Sequence, residues 1–141
     1  MHKKIPNIFT FISDFNKKQI LSFNKNIGII FRNYSQENNK YEIFKIKNFC
    51  KSNNQKFYLA NNVKLAINLD LDGVYIPSFN KSLVIGNCNL KKKFLIMGSA
   101  HNIYEIKQKE KQGIEILFLS PLFKTKNYKN ALGVVKFNFL S

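Results

Sequence analysis

Arg32, Ser99, His101, Ser120 and Thr125 are the residues of this chain whose types and settings could do chemistry. Each stands at or just past an apolar run that reads as a buried strand. Arg32 follows "IGIIF" (27–31) and is the only arginine among 23 basic residues. A guanidinium at a strand end suits a phosphate or carboxylate, because its fork of N–H donors matches paired oxygens. The plainer role is a surface ion pair. His101 can exchange a proton near neutral pH, or it can simply start a helix with its needs met by backbone. Ser99 and Thr125 offer hydroxyls to phosphate oxygens, and each could equally cap or turn the chain. Ser120 opens "SPLFKTKNYKNALG" (120–133), a polar loop that follows the apolar run "IEILFL" (114–119). In α/β proteins, loops at the carboxyl ends of strands are where function sits.

The elements that must position these residues recur along the chain. Strand-like runs are "IFTFIS" (8–13), "IGIIF" (27–31), "KFYLA" (56–60), "GVYIP" (73–77), "FLIMG" (94–98) and "IEILFLS" (114–120). Most are continuously apolar rather than alternating, which predicts strands covered on both faces. Helical stretches lie between them. In "YEIFKIKNFCK" the residues Ile43, Ile46, Phe49 and Cys50 share one helical face. "NIYEIKQKEKQG" has Asn102 to cap it, Glu105 at the capping-box position, an i,i+4 pair of Glu105 with Lys109, and Gly113 to end it. Segments 16–25 and 62–71 are weaker helices. Strand, helix and strand in repetition predict parallel βαβ units. Neither a G-x-G-x-x-G nor a phosphate-loop lysine motif follows any strand, so a nucleotide-binding reading has no support.

At 141 residues the chain is one domain. Its formal charge of +15 suggests an anionic partner. However, the basic residues are almost all lysine, and lysine, asparagine, isoleucine and phenylalanine are abundant together. That is the pattern of an A/T-rich coding sequence, and the excess charge reads as solvated surface. Neither nucleic acid nor membrane is expected as a partner. Cys50 and Cys88 are isolated, without the spacing of a zinc site or a disulfide framework. The start "MHKKIPNIFTFISDF" resembles a short signal peptide, but Pro6, Asn7 and Asp14 interrupt it. It reads as a first strand, and a cytoplasmic protein is expected.

The segments "FYLANNVKLAINLDLDGVYIPSFN" (57–80) and "FLIMGSAHNIYEIKQKEKQGIEILFLSPLFKTKNYKNALG" (94–133) resemble the thiamine phosphate synthase and thiazole tautomerase family. With "FISD" and "IIFRN" as the first two strands, the resemblance spans nearly the whole chain. It implies an α/β fold, an incomplete (β/α)8 TIM barrel of about six parallel βα units. The single domain, 1–141, would lack strands seven and eight, leaving strands one and six as open edges through which chains could associate. The implied activity joins hydroxymethylpyrimidine diphosphate to thiazole phosphate and releases pyrophosphate, with Mg2+ as cofactor. The implied ligands are phosphorylated pyrimidine or thiazole molecules. Arg32 falls on the family's diphosphate-binding arginine, and Ser99, Ser120 and Thr125 are further phosphate-binding positions. Tyr34 and Tyr128 replace family lysines. Asn61 and Asn80 occupy the two positions of the magnesium carboxylates, so the metal site is degraded. Two alternatives accompany the synthase reading. One is a thiazole tautomerase with His101 as its catalytic proton carrier; the other is a non-catalytic ligand-binding or relic barrel.

Overall fold

Six apolar runs become six parallel strands, in a computed structural model that describes residues 5–34, 39–83, 85, 89–119 and the backbone of 133–136. They are β1 (Ile8–Ile12), β2 (Ile27–Phe31), β3 (Phe57–Ala60), β4 (Gly73–Ile76), β5 (Leu95–Ala100) and β6 (Ile116–Leu119). Between them lie α1 (Lys17–Ser22), α2 (Lys40–Ser52), α3 (Val63–Asn68) and α4 (Ile103–Lys111). Strand order in the sheet follows sequence order. The parallel units are those the strand–helix alternation predicts, and their curled arrangement is the α/β, incomplete-barrel architecture that the family resemblance implies.

One strand was not foreseen. β7 (Gly133–Lys136) runs antiparallel to β6, with Gly133 opposite Leu119 and Lys136 opposite Ile116. The expectation that β6 is an open edge is therefore corrected: its hydrogen-bonding groups are met by a returning strand rather than by a further parallel unit. Among the described residues β1 pairs on one side only, with β2. No helix among them is long and apolar enough to cross a membrane.

Alternation along each strand sorts the core into two layers. One set of side chains, including Ile29, Phe31, Phe57, Leu59, Val74, Ile76, Ile96 and Leu117, packs with Ile20, Ile43, Ile46, Cys50, Leu65 and Ala66 from the helices. The other set, Ile30, Tyr58, Ala60, Tyr75, Leu95, Met97, Ile116 and Phe118, forms a second cluster with Phe9 and Phe11. In that inner cluster the rings of Phe9 and Phe118 meet edge to face at 5.5 Å. These rings belong to the first and sixth strands, so the sheet curls until those strands face each other across a filled interior. Such aromatic pairs add about 0.5–1.5 kcal/mol each beyond the area they bury.

Asparagine caps start three of the helices. The Oδ1 atoms of Asn16, Asn62 and Asn102 accept from the backbone N–H of Gln19, Leu65 and Glu105. Glu105 reaches back to the N–H of His101 at 3.1 Å, one residue before the cap, rather than to the cap's own N–H as the expected box has it. In α2, Ile43, Ile46 and Cys50 are buried as their spacing predicts, while Phe49 is partly covered. Burial, followed by the nearby Asp72 carboxylate, pushes the Cys50 thiol up to about 12. Cys50 is an inert core residue.

Candidate functional site

The carboxyl ends of the parallel strands bring the described candidates together. Arg32 leaves β2, its N–H still donating to Ile12 at 2.8 Å as if the ladder ran one residue further. That fixes the side chain's origin at the rim of the curled sheet. Its guanidinium then lies over the Phe11 ring at 3.9 Å, a stacked cation–π contact that limits where the charge can go. Ser99, near the end of β5, is 9% exposed. His101 follows β5, and its Nδ1 lies 3.3 Å from Glu105 Oε1. Arg32, Ser99 and His101 line one cavity of about 230 Å³, walled by Phe11, Tyr75 and Phe118. Ser120 and Thr125 lie outside the described residues.

A second cavity, of about 610 Å³, adjoins the first and contains Asn61 and Asn80. Tyr34 and Phe79 line both, and their rings meet edge to face at 5.3 Å. Phe79 is 61% exposed, so it does not fill interior space; Tyr75, at 5%, does. Burial, with the Tyr75 phenol next, pushes the Tyr34 hydroxyl up to about 12, against the pull of Arg32. Tyr34 therefore offers a neutral hydroxyl where the family resemblance has an ammonium.

Asn61 and Asn80 are joined directly. Asn80 Nδ2 donates to Asn61 Oδ1 at 2.7 Å, and Asn80 Oδ1 accepts from the Ser82 N–H at 2.9 Å. Asn61 adopts a left-handed backbone, φ 72°, which asparagine tolerates better than most residues. Its own N–H donates to the Tyr75 carbonyl at 2.7 Å. Neither amide carries charge, and the Asn61 oxygen is already engaged. Among the described residues no group of three or more His, Cys, Asp or Glu could hold a metal ion. Magnesium favours anionic oxygen ligands and sheds water reluctantly. This donor set does not fit a magnesium centre, and no step is assigned to one.

The family follows from a comparison over most of the chain. Residues 25–141 match the model of the family described as thiamine monophosphate synthase. The chain belongs to the thiamine monophosphate synthase family. It is 27% identical over 93 residues to a thiamine-phosphate synthase of Prochlorococcus marinus, covering 66% of this chain and 27% of that protein. It is 28% identical over 89 residues to a thiamine-phosphate synthase of Bacillus licheniformis, covering 63% of this chain and 39% of that one. The chain thus spans well under half the length of these two relatives. In fold it is similar to thiamine phosphate pyrophosphorylase from Pyrococcus furiosus, with a TM-score of 0.52 at 19% identity, covering 72% of this chain and 50% of that one.

Residues that the family resemblance did not flag also shape the site. Lys109 was expected to pair with Glu105 across one helical turn. Instead it is fully buried, and its Nζ donates to the Asn80 carbonyl at 2.8 Å and to Gln112 Oε1 at 2.7 Å. Gly98 leaves space for it: a Cβ there would stand 3.0 Å from the Lys109 stem. The available signal was spacing, since Lys109 lies three residues after Ile106 on the face that packs against the sheet.

Burial brings the Lys109 ammonium down to about 8; Glu105 favours the charged form and Lys81 opposes it. The folded chain therefore holds this proton less tightly than the unfolded one. Between pH about 8 and the ordinary lysine value of 10.5 the unfolded state binds more protons, so stability rises with pH across that window. Thermal melts should show the midpoint climbing there, and Lys109→Met should flatten the climb. A midpoint that climbs equally in the Met variant would assign the effect to surface charge alone.

Proposed function

We propose that this chain binds a phosphorylated heterocycle of thiamine biosynthesis at the carboxyl end of its half-barrel, in a thiamine-phosphate-synthase-type site. The observation that carries the reading is the convergence of Arg32, Ser99 and His101 on one aromatic-walled cavity. Phe11, Tyr75 and Phe118 offer flat apolar walls for a ring. Arg32, steadied on Phe11, supplies the fixed cation for a phosphate, and Ser99 and Tyr34 supply neutral hydroxyls. The adjoining cavity behind Tyr34 and Phe79 gives room for a second component, as a coupling reaction needs.

In that reaction the pyrimidine diphosphate loses pyrophosphate, and the thiazole nitrogen forms the new bond to the pyrimidine methylene carbon. Charge builds on the leaving oxygens as the carbon–oxygen bond breaks. Arg32 can meet part of that charge. With neutral groups at positions 34, 61 and 80, coupling is slow in this reading.

A specific contact supports a second reading. If Nδ1 of His101 is the protonated nitrogen, its contact with Glu105 leaves Nε2 basic and able to move a proton on a bound thiazole, as a tautomerase would. One set of assays separates the two. Calorimetry with inorganic pyrophosphate and with thiazole phosphate should lose about a hundredfold in affinity in Arg32→Ala, equivalent to roughly 3 kcal/mol for a lost charge-assisted contact. Pyrimidine–thiazole coupling should be weak and little changed by magnesium. Robust magnesium-dependent turnover by the unaltered chain would refute this reading of the site. Thiazole aromatisation abolished in His101→Ala would select the tautomerase.

A further inference from the structure

Three residues of α4 and its C-terminal end hold three successive carbonyls of the segment that follows β4. Gln108 Nε2 donates to the Lys81 carbonyl at 2.9 Å. Lys109 Nζ and Gln112 Nε2 both donate to the Asn80 carbonyl at 2.8 Å, and Gln112 Nε2 also reaches the Ser82 carbonyl at 2.8 Å. Lys109 and Gln112 are tied to each other at 2.7 Å, and the two are 0% and 1% exposed. From the same segment the Asn80 side chain crosses to Asn61 at 2.7 Å. The hydrogen bonds thus form one continuous path from α4, through residue 80, to the turn after β3.

We propose that Lys109 is a positioning residue that supplies, from within the chain, the positive charge that holds the β4 loop against the β3 loop, so that this part of the site assembles without a divalent metal. The physical reasoning starts from the cost of its burial. A buried ammonium is expensive unless its protons are used. Here two donate to oxygens, Glu105 lies near enough to favour the charge, and Lys81 is the like charge that opposes it. A carbonyl that accepts from both an ammonium and an amide is pinned more firmly than one held by a single neutral donor. Pinning residue 80 at its carbonyl orients its side chain, and the direct amide contact then fixes Asn61. The same segment carries Phe79, whose ring stands against Tyr34 between the two cavities. Lys109 itself lines neither cavity, so it acts through Asn80, which lines the larger one, and through the neighbouring Phe79.

No ligand enters the test, which keeps it separate from the functional reading. Backbone hydrogen exchange is measured on the unaltered protein in chelator and in magnesium, and on Lys109→Met. Exchange at residues 79–82 and 61–62 should be the same in both buffers for the unaltered protein. It should speed up by about tenfold or more in Lys109→Met, with β4, β5 and β6 unchanged, because local opening is decoupled from global unfolding. Slower exchange of the unaltered protein on adding magnesium would overturn the proposal, as would unchanged exchange at 79–82 in the variant. If Lys109→Met fails to fold, the nitrogen spectrum of the unaltered protein decides. A protected ammonium signal at neutral pH, distinct from the exposed lysines and coupled through space to residue 80, supports the assignment; its absence removes it.

Discussion

Gly73→Ala is expected to lower the melting midpoint by roughly 10 °C, or to leave the protein insoluble. A Cβ at this position would stand 2.0 Å from the Leu95 carbonyl oxygen and 2.8 Å from the Tyr58 ring. The oxygen cannot yield as a side chain would. It belongs to β5, whose Leu95 is the direct partner of Gly73 in the parallel ladder. Tyr58 has little room either, since it is 2% exposed and its ring packs against Phe9 at 5.6 Å. Either β4 and β5 separate or the inner layer shifts, and the cost is about 3 kcal/mol, the upper end for overpacking a core. Gly113→Ala is the matched control. That glycine has φ 81° and nothing within 4 Å of a new Cβ, so alanine there meets only left-handed strain of about 1–2 kcal/mol. If calorimetry gave the two variants the same midpoint, the close approach of β4 and β5 at residue 73 would be refuted.

The second large effect is a metal dependence created by two substitutions. In Asn61→Asp/Asn80→Asp, two carboxylates replace amides that now lie 2.7 Å apart. At an effective dielectric constant of about 20, like charges about 4 Å apart repel by about 4 kcal/mol, and solvent at this partly exposed site reduces that. The pair should respond by sharing a proton, by spreading the loops, or by taking up a divalent cation. Aspartate tolerates the left-handed backbone of residue 61 about as well as asparagine, so the comparison is not confounded by strain. The double variant should therefore melt several degrees below the unaltered protein in chelator and recover in magnesium. The unaltered protein should show the same midpoint in both buffers. A double variant indifferent to magnesium would mean that residues 61 and 80 are not disposed to share a cation. Calorimetric titration with magnesium provides the independent check.

The strands were legible because each carries its own local signal. Six apolar runs, each bounded by Asn, Gly, Pro or Lys, needed only the rule that strands covered on both faces are continuously apolar. The start of α4 was legible for the same reason, since Asn102 and Glu105 act on groups within four residues of themselves. The strand-end position of Arg32 followed from the strand, and so did its place beside Ser99 and His101. What escaped depends on contacts made at a distance. The short run 133–136 gave no hint that it would return antiparallel to β6. Lys109 looks like a surface charge until the loop after β4 arrives to accept its protons. Nothing local to Phe79 announces that its ring will stand beside Tyr34 at the rim. Asparagines at 61 and 80 could be placed after strands, but their direct bond required both loops.

The meeting of Phe9 with Phe118 sets an order on how this protein can be made. A ribosome releases β1 first, and its inward ring has no partner on the sixth strand until residue 118 emerges. Synthesis at about 5–20 residues per second leaves the first strand waiting for several seconds. During that time the growing chain can pair β1 with β2 and then β3, and seat their helices, but its inner face stays open on one side. The last contacts to form join residues far apart in sequence, the slow kind of closure. A nascent chain stalled between β5 and β6 would expose Phe9, Phe11 and Tyr75 together, an aromatic surface of the kind that chaperones hold. The half-built interior is thus as much a physical constraint on this chain as the finished one.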